Sequence, residues 1–320
     1  MMPDVLRTEA LTKFYGRERG IVDVDFSVQG GEVFGFLGPN GAGKTTTMRT
    51  ILDFIRPTRG RATVFGLDSH ASSREIRRRT GYLPGELSLY DNLTGEEHLR
   101  YLANLRGGVD DREVERLARL LGADLGRRIK TLSHGNKQKI GVILAMMHRP
   151  ELLLLDEPTA ALDPLVQEEV HQLIREARED GRTVFLSSHI LPEVEELCDR
   201  VGIIREGRVV AVEHIAELKA RALRRLEIRF AEPVPASAFE GLAGVQDVDV
   251  RDSVLRCTVS GSLDAVVKAA ARFRVDNVIT QEPSLEEVFF AFYGDAASPG
   301  KPDGEAPSAA PRGMEAGRAS

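Results

Sequence analysis

The chain has 320 residues, 42% of them hydrophobic, and its 43 Lys and Arg against 49 Asp and Glu give a formal net charge of −6. That length can bury a full core and leaves room for two domains, while the acidic balance argues against broad electrostatic binding to nucleic acid; Arg77-Arg78-Arg79 reads as a solvated helix face. Cys198 and Cys257 lie far apart without metal-ligand spacing, no signal-peptide pattern follows Met1, and no apolar run approaches the roughly 20 residues of a bilayer span, so the expectation is a soluble chain without a disulfide framework.

Residues 5–28 alternate apolar and polar, as in Val22, Val24, Phe26 and Val28, which predicts strands paired antiparallel at the edge of a larger sheet. Phe14-Tyr15-Gly16 lies between them, and an aromatic before a glycine turn suits either the core or a stack on a nucleotide base. The apolar run Val33 to Leu37 then leads into Gly38-Pro39-Asn40-Gly41-Ala42-Gly43-Lys44-Thr45, followed by Thr46. Strand, glycine-rich turn and helix in that order make a phosphate-binding loop: backbone N–H groups turn inward, Lys44 reaches the β- and γ-phosphates and Thr45 a Mg²⁺ ion. Met48, Ile51, Leu52 and Ile55 recur at helical spacing, so Lys44 opens a helix that Arg56-Pro57 stops, with its positive end toward the anion.

Arg61 to Phe65 reads as a short strand, Ser72 to Arg79 as a helix, and Thr80-Gly81-Tyr82-Leu83-Pro84 as entry into a loop. Thr94-Gly95-Glu96-Glu97 has capping-box spacing and starts a helix to about Arg106; Val114, Leu117, Ala118 and Leu121 mark another, closed by Gly122. Ser133 is an N-cap for a third, with Ile140, Ile143, Leu144 and Met147 on one face. Leu152 to Leu155 has the continuous apolar character of a strand covered on both sides, ending in Asp156-Glu157-Pro158. Carboxylates at the carboxyl end of such a strand, beside a phosphate loop, are placed to serve a phosphate-bound Mg²⁺. Asp163-Pro164 starts a further helix, and Thr183 to Ser188 is a strand ending at His189, expected to run parallel to the one bearing Asp156 and to share its edge. From about Lys219, strands at Leu226 to Phe230, Val245 to Val250, Val254 to Val259 and Val275 to Thr280 alternate with helices near Ala236 to Leu242 and Leu263 to Phe273, a βαββαβ order. Leu285 to Phe290 adds a last helix, and the Ala-, Gly-, Pro- and Ser-rich residues 294–320 suit a disordered tail.

Taken as a set, these motifs resemble those of the ATP-binding subunits of ABC transporters, specifically the ABC-2 type that includes bacterial drug-resistance exporters. The resemblance spans residues 5 to about 293: Gly38 to Thr45 stands at the Walker A motif, Leu152 to Asp156 at the Walker B, Leu132-Ser133-His134-Gly135-Asn136 at the signature, Ala161-Leu162-Asp163 at the D-loop, His189 at the switch histidine and Tyr15 at the adenine-stacking position. It implies an α/β P-loop NTPase nucleotide-binding domain over residues 1–218, with antiparallel edge strands and a helical insert. A small α+β ferredoxin-like domain would follow over residues 219–293, then the tail.

By the same resemblance two such chains, or this chain and a paired nucleotide-binding subunit, close head to tail around ATP and Mg²⁺. Lys44 and Thr45 of one would face Ser133 and Gly135 of the other, Asp163 of the D-loop would join the nucleotide site, Asp156 would hold the Mg²⁺ shell, Glu157 the attacking water, and His189 the γ-phosphate. Separate transmembrane permease subunits would hold the cytoplasmic chain at the inner face of the membrane. Two positions depart from the family: Gly85 stands where a Gln is usual, with Glu86 beside it as a substitute, and His134 and Asn136 where Gly and Gln are commoner. Rival readings are a soluble ABC-type ATPase on ribosomes or DNA, against which stand the single motif set and the lack of heptads, and a GTPase, whose Asn-Lys-x-Asp motif Asn136-Lys137-Gln138-Lys139 does not complete.

Overall fold

The structure, a computed structural model, describes residues 3–221 and 224–281. β1 (Asp4–Tyr15) and β2 (Glu18–Gln29) form an antiparallel hairpin, bent where Ala10 and Asp23 adopt φ of 45° and 47°. β3 (Val33–Leu37) leads to α1 (Lys44–Ile51), and β4 (Arg59–Val64) with β5 (Leu67–Asp68) complete a four-stranded sheet of order β2-β1-β4-β5. The alternation in residues 5–28 thus encodes strands, but not edge strands of the larger sheet: they belong to a sheet of their own. The reason is the apolar face they must cover. Phe26 of β2 sits 5.4 to 5.6 Å from the rings of Phe34, Phe36 and Phe185, so the hairpin lies over the central sheet and buries aromatic surface. α1 stops at Ile51, short of Ile55, as Asp53 takes φ 55°.

α2 (Ser73–Arg79) precedes β6 (Thr80–Leu83), and α3 (Gly95–Leu105) and α4 (Asp111–Leu120) form the helical insert. The capping box is made in full: Thr94 Oγ1 accepts from Glu97 N–H at 3.2 Å and Glu97 Oε2 from Thr94 N–H at 2.8 Å. α5 (His134–Met146), β7 (Leu152–Asp156), α6 (Pro164–Glu179), β8 (Thr183–Ser188), α7 (Leu191–Leu197), β9 (Arg200–Arg205), β10 (Arg208–His214) and α8 (Ile215–Arg221) follow.

The central sheet has order β10-β9-β3-β8-β7-β6; β10 is antiparallel to β9, and all other neighbours run parallel. Every residue of β3, β7 and β8 is buried, as a parallel strand covered on both faces requires. Thr80 to Leu83 is a strand, not the loop expected of it. Gly81, which suggests a turn, is there because a Cβ would stand 2.0 Å from the Ala145 carbonyl oxygen of α5. β9 and β10 extend this sheet beyond the strands expected from sequence.

Beyond residue 223, β11 (Arg224–Phe230), β12 (Val245–Arg251), β13 (Val254–Val259), α9 (Asp264–Ala270) and β14 (Val275–Gln281) make an all-antiparallel sheet of order β12-β13-β11-β14. The helix expected over 236–242 is only a 3₁₀ turn at Ala236–Ala238, with Gly241 close behind it at φ 74°. The helix expected from Leu285 and the tail 294–320 lie outside the described residues.

His148, just past α5, contacts the Thr80 carbonyl at 3.3 Å, and burial assisted by Arg106 pushes its imidazole from 6.5 down to about 4. The folded chain refuses a proton that the unfolded chain binds between those values, so stability should fall as pH drops from 6.5 to 4. Thermal unfolding of the wild type and His148→Gln across that window checks this: the variant should have a shallower pH slope.

Candidate active site

The carboxyl end of β3 delivers the chain into a turn that only particular glycines can make. A Cβ on Gly38 would stand 2.3 Å from the Ile204 carbonyl oxygen, while Gly41 and Gly43 adopt φ of 78° and 109°. Gly43 occupies the N-cap position of α1 and offers no side chain, so the first N–H groups of the helix remain unsatisfied by a cap. Lys44 is 6% exposed, and its Nζ donates to the carbonyls of Gly38 at 2.7 Å and Pro39 at 3.2 Å and stands 3.3 Å from Glu157 Oε1. A cleft of about 250 Å³ opens here, with Tyr15, Asn40, Lys44, Thr45, Thr46 and Glu157 among its walls. Free helix N–H groups and a buried ammonium make it an anion site.

Because β3, β8 and β7 are adjacent and parallel, their carboxyl ends meet at this cleft. Asp156, 1% exposed, accepts from Thr45 Oγ1 at 2.6 Å and from Ser187 Oγ at 2.6 Å. Glu157 adopts φ 52°, a left-handed conformation costing a non-glycine residue about 1–2 kcal/mol. Beside backbone bonds to the Ser187 carbonyl and from Ala160 N–H, two side-chain bonds hold it there: its N–H donates to Ser187 Oγ at 3.0 Å, and Gln138 Nε2 donates to its carbonyl at 3.3 Å. The twist turns its carboxylate between Lys44 and His189, whose Nδ1 is 3.2 Å away. The supports Ser187 and Gln138 were missed from sequence. Ser187 and Ser188 left a signal, as hydroxyls at the end of a buried apolar strand.

Tyr15 belongs to this cleft and not to the core: it is 45% exposed, with Lys13 Nζ 5.4 Å from its ring centroid. Gly85 is also close, since a Cβ there would stand 3.1 Å from Asp156 Oδ2; Glu86 is exposed. Ser133, Gly135 and Asp163 are not among the residues lining the cleft. Ser133 caps α5 through a bond from Asn136 N–H at 3.2 Å, and Asp163 caps α6 through one from Val166 N–H at 3.2 Å. Gly135 packs against that same turn, where a Cβ would stand 2.9 Å from the Ala161 carbonyl oxygen. Ser133, His134 and Asp163 are exposed.

Among the described residues, Glu168, His171 and Glu196 place potential metal ligands within 4.8 Å of one another. Arg175 bridges both carboxylates, so the group is an ion-pair cluster.

Residues 21–160 match the ABC transporter family. The chain is 35% identical over 301 residues to the bacitracin transport ATP-binding protein BcrA of Bacillus licheniformis, covering 92% of this chain and 98% of that one. It is 32% identical over 306 residues to the linearmycin resistance ATP-binding protein LnrL of Bacillus subtilis, covering 91% and 98%. Among solved structures, an ATP-binding subunit of an ABC transporter superposes with a TM-score of 0.61 at 34% identity, covering 67% of this chain and 92% of that one. The dimeric ATP-binding cassette MJ0796 with ADP and Pi shares the fold at TM-score 0.59 and 23% identity, covering 66% and 98%.

The glycines separate two kinds of constraint. Gly38→Ala drives a methyl into backbone and should cost about 1–3 kcal/mol and abolish binding of a fluorescent ATP analogue. Gly41→Ala meets open space and bears only the left-handed backbone, so it should cost about 1 kcal/mol and weaken binding modestly. Denaturant unfolding and nucleotide titration of both variants check the contrast.

Proposed function

Because the chain belongs to the ABC transporter family and is an ATPase of it, we propose that it powers a membrane exporter, working as a head-to-tail nucleotide-sandwich pair with separate transmembrane subunits. The observation that carries this reading is the division of its motifs. Lys44, Thr45 and Glu157 line one cleft, with Asp156 bonded to Thr45 and His189 3.2 Å from Glu157, while among the described residues no such contact ties the helix start at Ser133 and Gly135, or Asp163 beside it, to these residues. A helix N-terminus is a ready receptor for a γ-phosphate, so a second copy can complete what one leaves open.

Within the site, ATP phosphates enter the turn from Gly38 to Thr46 and draw Lys44 Nζ from the Gly38 and Pro39 carbonyls and from Glu157. That frees the Glu157 carboxylate to orient and deprotonate the attacking water, with His189 placed to contact the γ-phosphate as charge develops. Tyr15 offers an open ring face to the adenine. Thr45 Oγ1 and Asp156 Oδ2, 2.6 Å apart, are hard oxygen donors that suit Mg²⁺, which when bound would neutralise phosphate charge. Gly85 leaves that side of Asp156 without a side-chain ligand.

Exporter coupling is supported by the names of the relatives, given for transport and resistance, and by a groove of about 410 Å³. Phe54, Leu102, Leu105 and Met147 line it, and Phe54 and Leu105 are 51% and 67% exposed, which suits an apolar partner element. No helix among the described residues is long and apolar enough to cross a membrane, so that element would come from permease subunits at the inner face. Residues 1–218 form the nucleotide-binding domain in this reading. The β12-β13-β11-β14 order supports a ferredoxin-like unit over 219–293, with a packing or regulatory role.

Glu157→Gln should retain ATP binding and lose about 10²–10⁴-fold in turnover, measured by phosphate release alongside nucleotide titration. Specific activity should rise with protein concentration if a second chain completes the site; a constant value from nanomolar to micromolar enzyme would count against pairing. Leu105→Asp should leave basal ATPase intact and weaken co-purification with a transmembrane subunit co-expressed with this chain.

A further inference from the structure

Behind the cleft lies a carboxylate to which no part of the proposed mechanism gives a role. Glu193 of α7 has a side chain only 4% exposed, and both its oxygens are taken by side chains from other elements. Oε1 accepts from Thr159 Oγ1 at 2.7 Å and stands 3.5 Å from His171 Nε2 of α6; Oε2 accepts from Ser188 Oγ at 2.5 Å. Thr159 is two residues beyond Glu157, and Ser188 immediately precedes His189. Ser188 Oγ in turn accepts from Ile190 N–H at 2.9 Å, so the hydroxyl held by Glu193 brackets His189 on both sides.

We infer that Glu193 is a positioning residue for ATP hydrolysis, its buried carboxylate tying the turn that carries Glu157 to the turn that carries His189. This rests on the assignment of Glu157 and His189 made above. Burying a carboxylate raises its proton affinity, but the bonds from His171, Ser188 and Thr159 more than offset this and hold Glu193 below its ordinary value. A carboxylate in the first turn of a helix ordinarily serves that helix's own N–H groups. Glu193 instead spends its acceptors on the ends of β7 and β8, a cross-tie between loops. The tie matters because Glu157 sits at φ 52° and needs its surroundings to hold it there. With Ser187 fixing its N–H, Gln138 its carbonyl and Glu193 the chain two residues on, the 3.2 Å approach of Glu157 and His189 is determined from three directions.

A misplacement of about 1 Å at a reacting group can cost about 10²-fold, so Glu193→Ala should lower kcat by about 10²-fold and leave KM for ATP within about threefold. Glu193→Gln keeps one acceptor for Thr159 and one polar contact to Ser188, and should recover most of that loss. Thr159→Val, which keeps the side-chain shape and removes one bond, should lower kcat by about tenfold, and combined with Glu193→Ala should add nothing further. Should Glu193→Ala not fold, Thr159→Val and Glu193→Gln decide the matter by the same kcat and KM split. A folded Glu193→Ala with kcat within about twofold of the parent, or a loss carried in KM, overturns the inference. Glu157→Gln run in parallel separates the two failures: if it is inactive while Glu193→Ala is active, only the positioning role falls, and if it hydrolyses ATP normally, the assignment beneath it falls as well.

Discussion

A buried ammonium must find partners, and in this chain Lys44 finds three: two carbonyls of its own loop and the carboxylate of Glu157. Those contacts set the geometry of the site. They brace the curled loop, engage the carboxylate proposed to activate water, and link the end of β3 to the end of β7. In the proposed mechanism an incoming polyphosphate competes for the same ammonium, so binding the substrate and releasing the Glu157 carboxylate would be one exchange of ion pairs.

That exchange needs rigid surroundings. The three strands that end at the site are completely buried, and Phe26, Phe34, Phe36 and Phe185 stack between the hairpin sheet and the central sheet. Such a core resists displacement of the strand ends. Against it the strained Glu157 backbone and the inward-turned Asp156 can be held by a few short bonds from Ser187, Gln138 and Thr45. The core sets where the turns begin, and the hydrogen bonds set where the carboxylates point.

Local signals carried the elements. Lys44 after three glycines, the Thr94 to Glu97 box, Asp163-Pro164 and the run Leu152 to Leu155 each encode their structure within a few residues, because caps, turns and buried parallel strands draw on their neighbours in sequence. The errors fall where distant partners decide. Gly81 looks like a turn until the Ala145 carbonyl is placed against it, and the hairpin of β1 and β2 looks like a sheet edge until the aromatic face beneath it is seen.

By itself, then, the amino-acid order determined that a phosphate loop, a carboxylate pair and a histidine are present, each at the end of an apolar strand, since period and composition are local properties. Only the tertiary structure decided that Ser187, Gln138 and Glu193 stand behind them, that Tyr15 lies open, and that Ser133 caps α5 and Gly135 packs on the turn at Ala161 without lining the cleft. The physical reason is that a hydrogen bond between residues 19 or 31 positions apart in sequence depends on strand order and helix packing, which no window of the sequence contains.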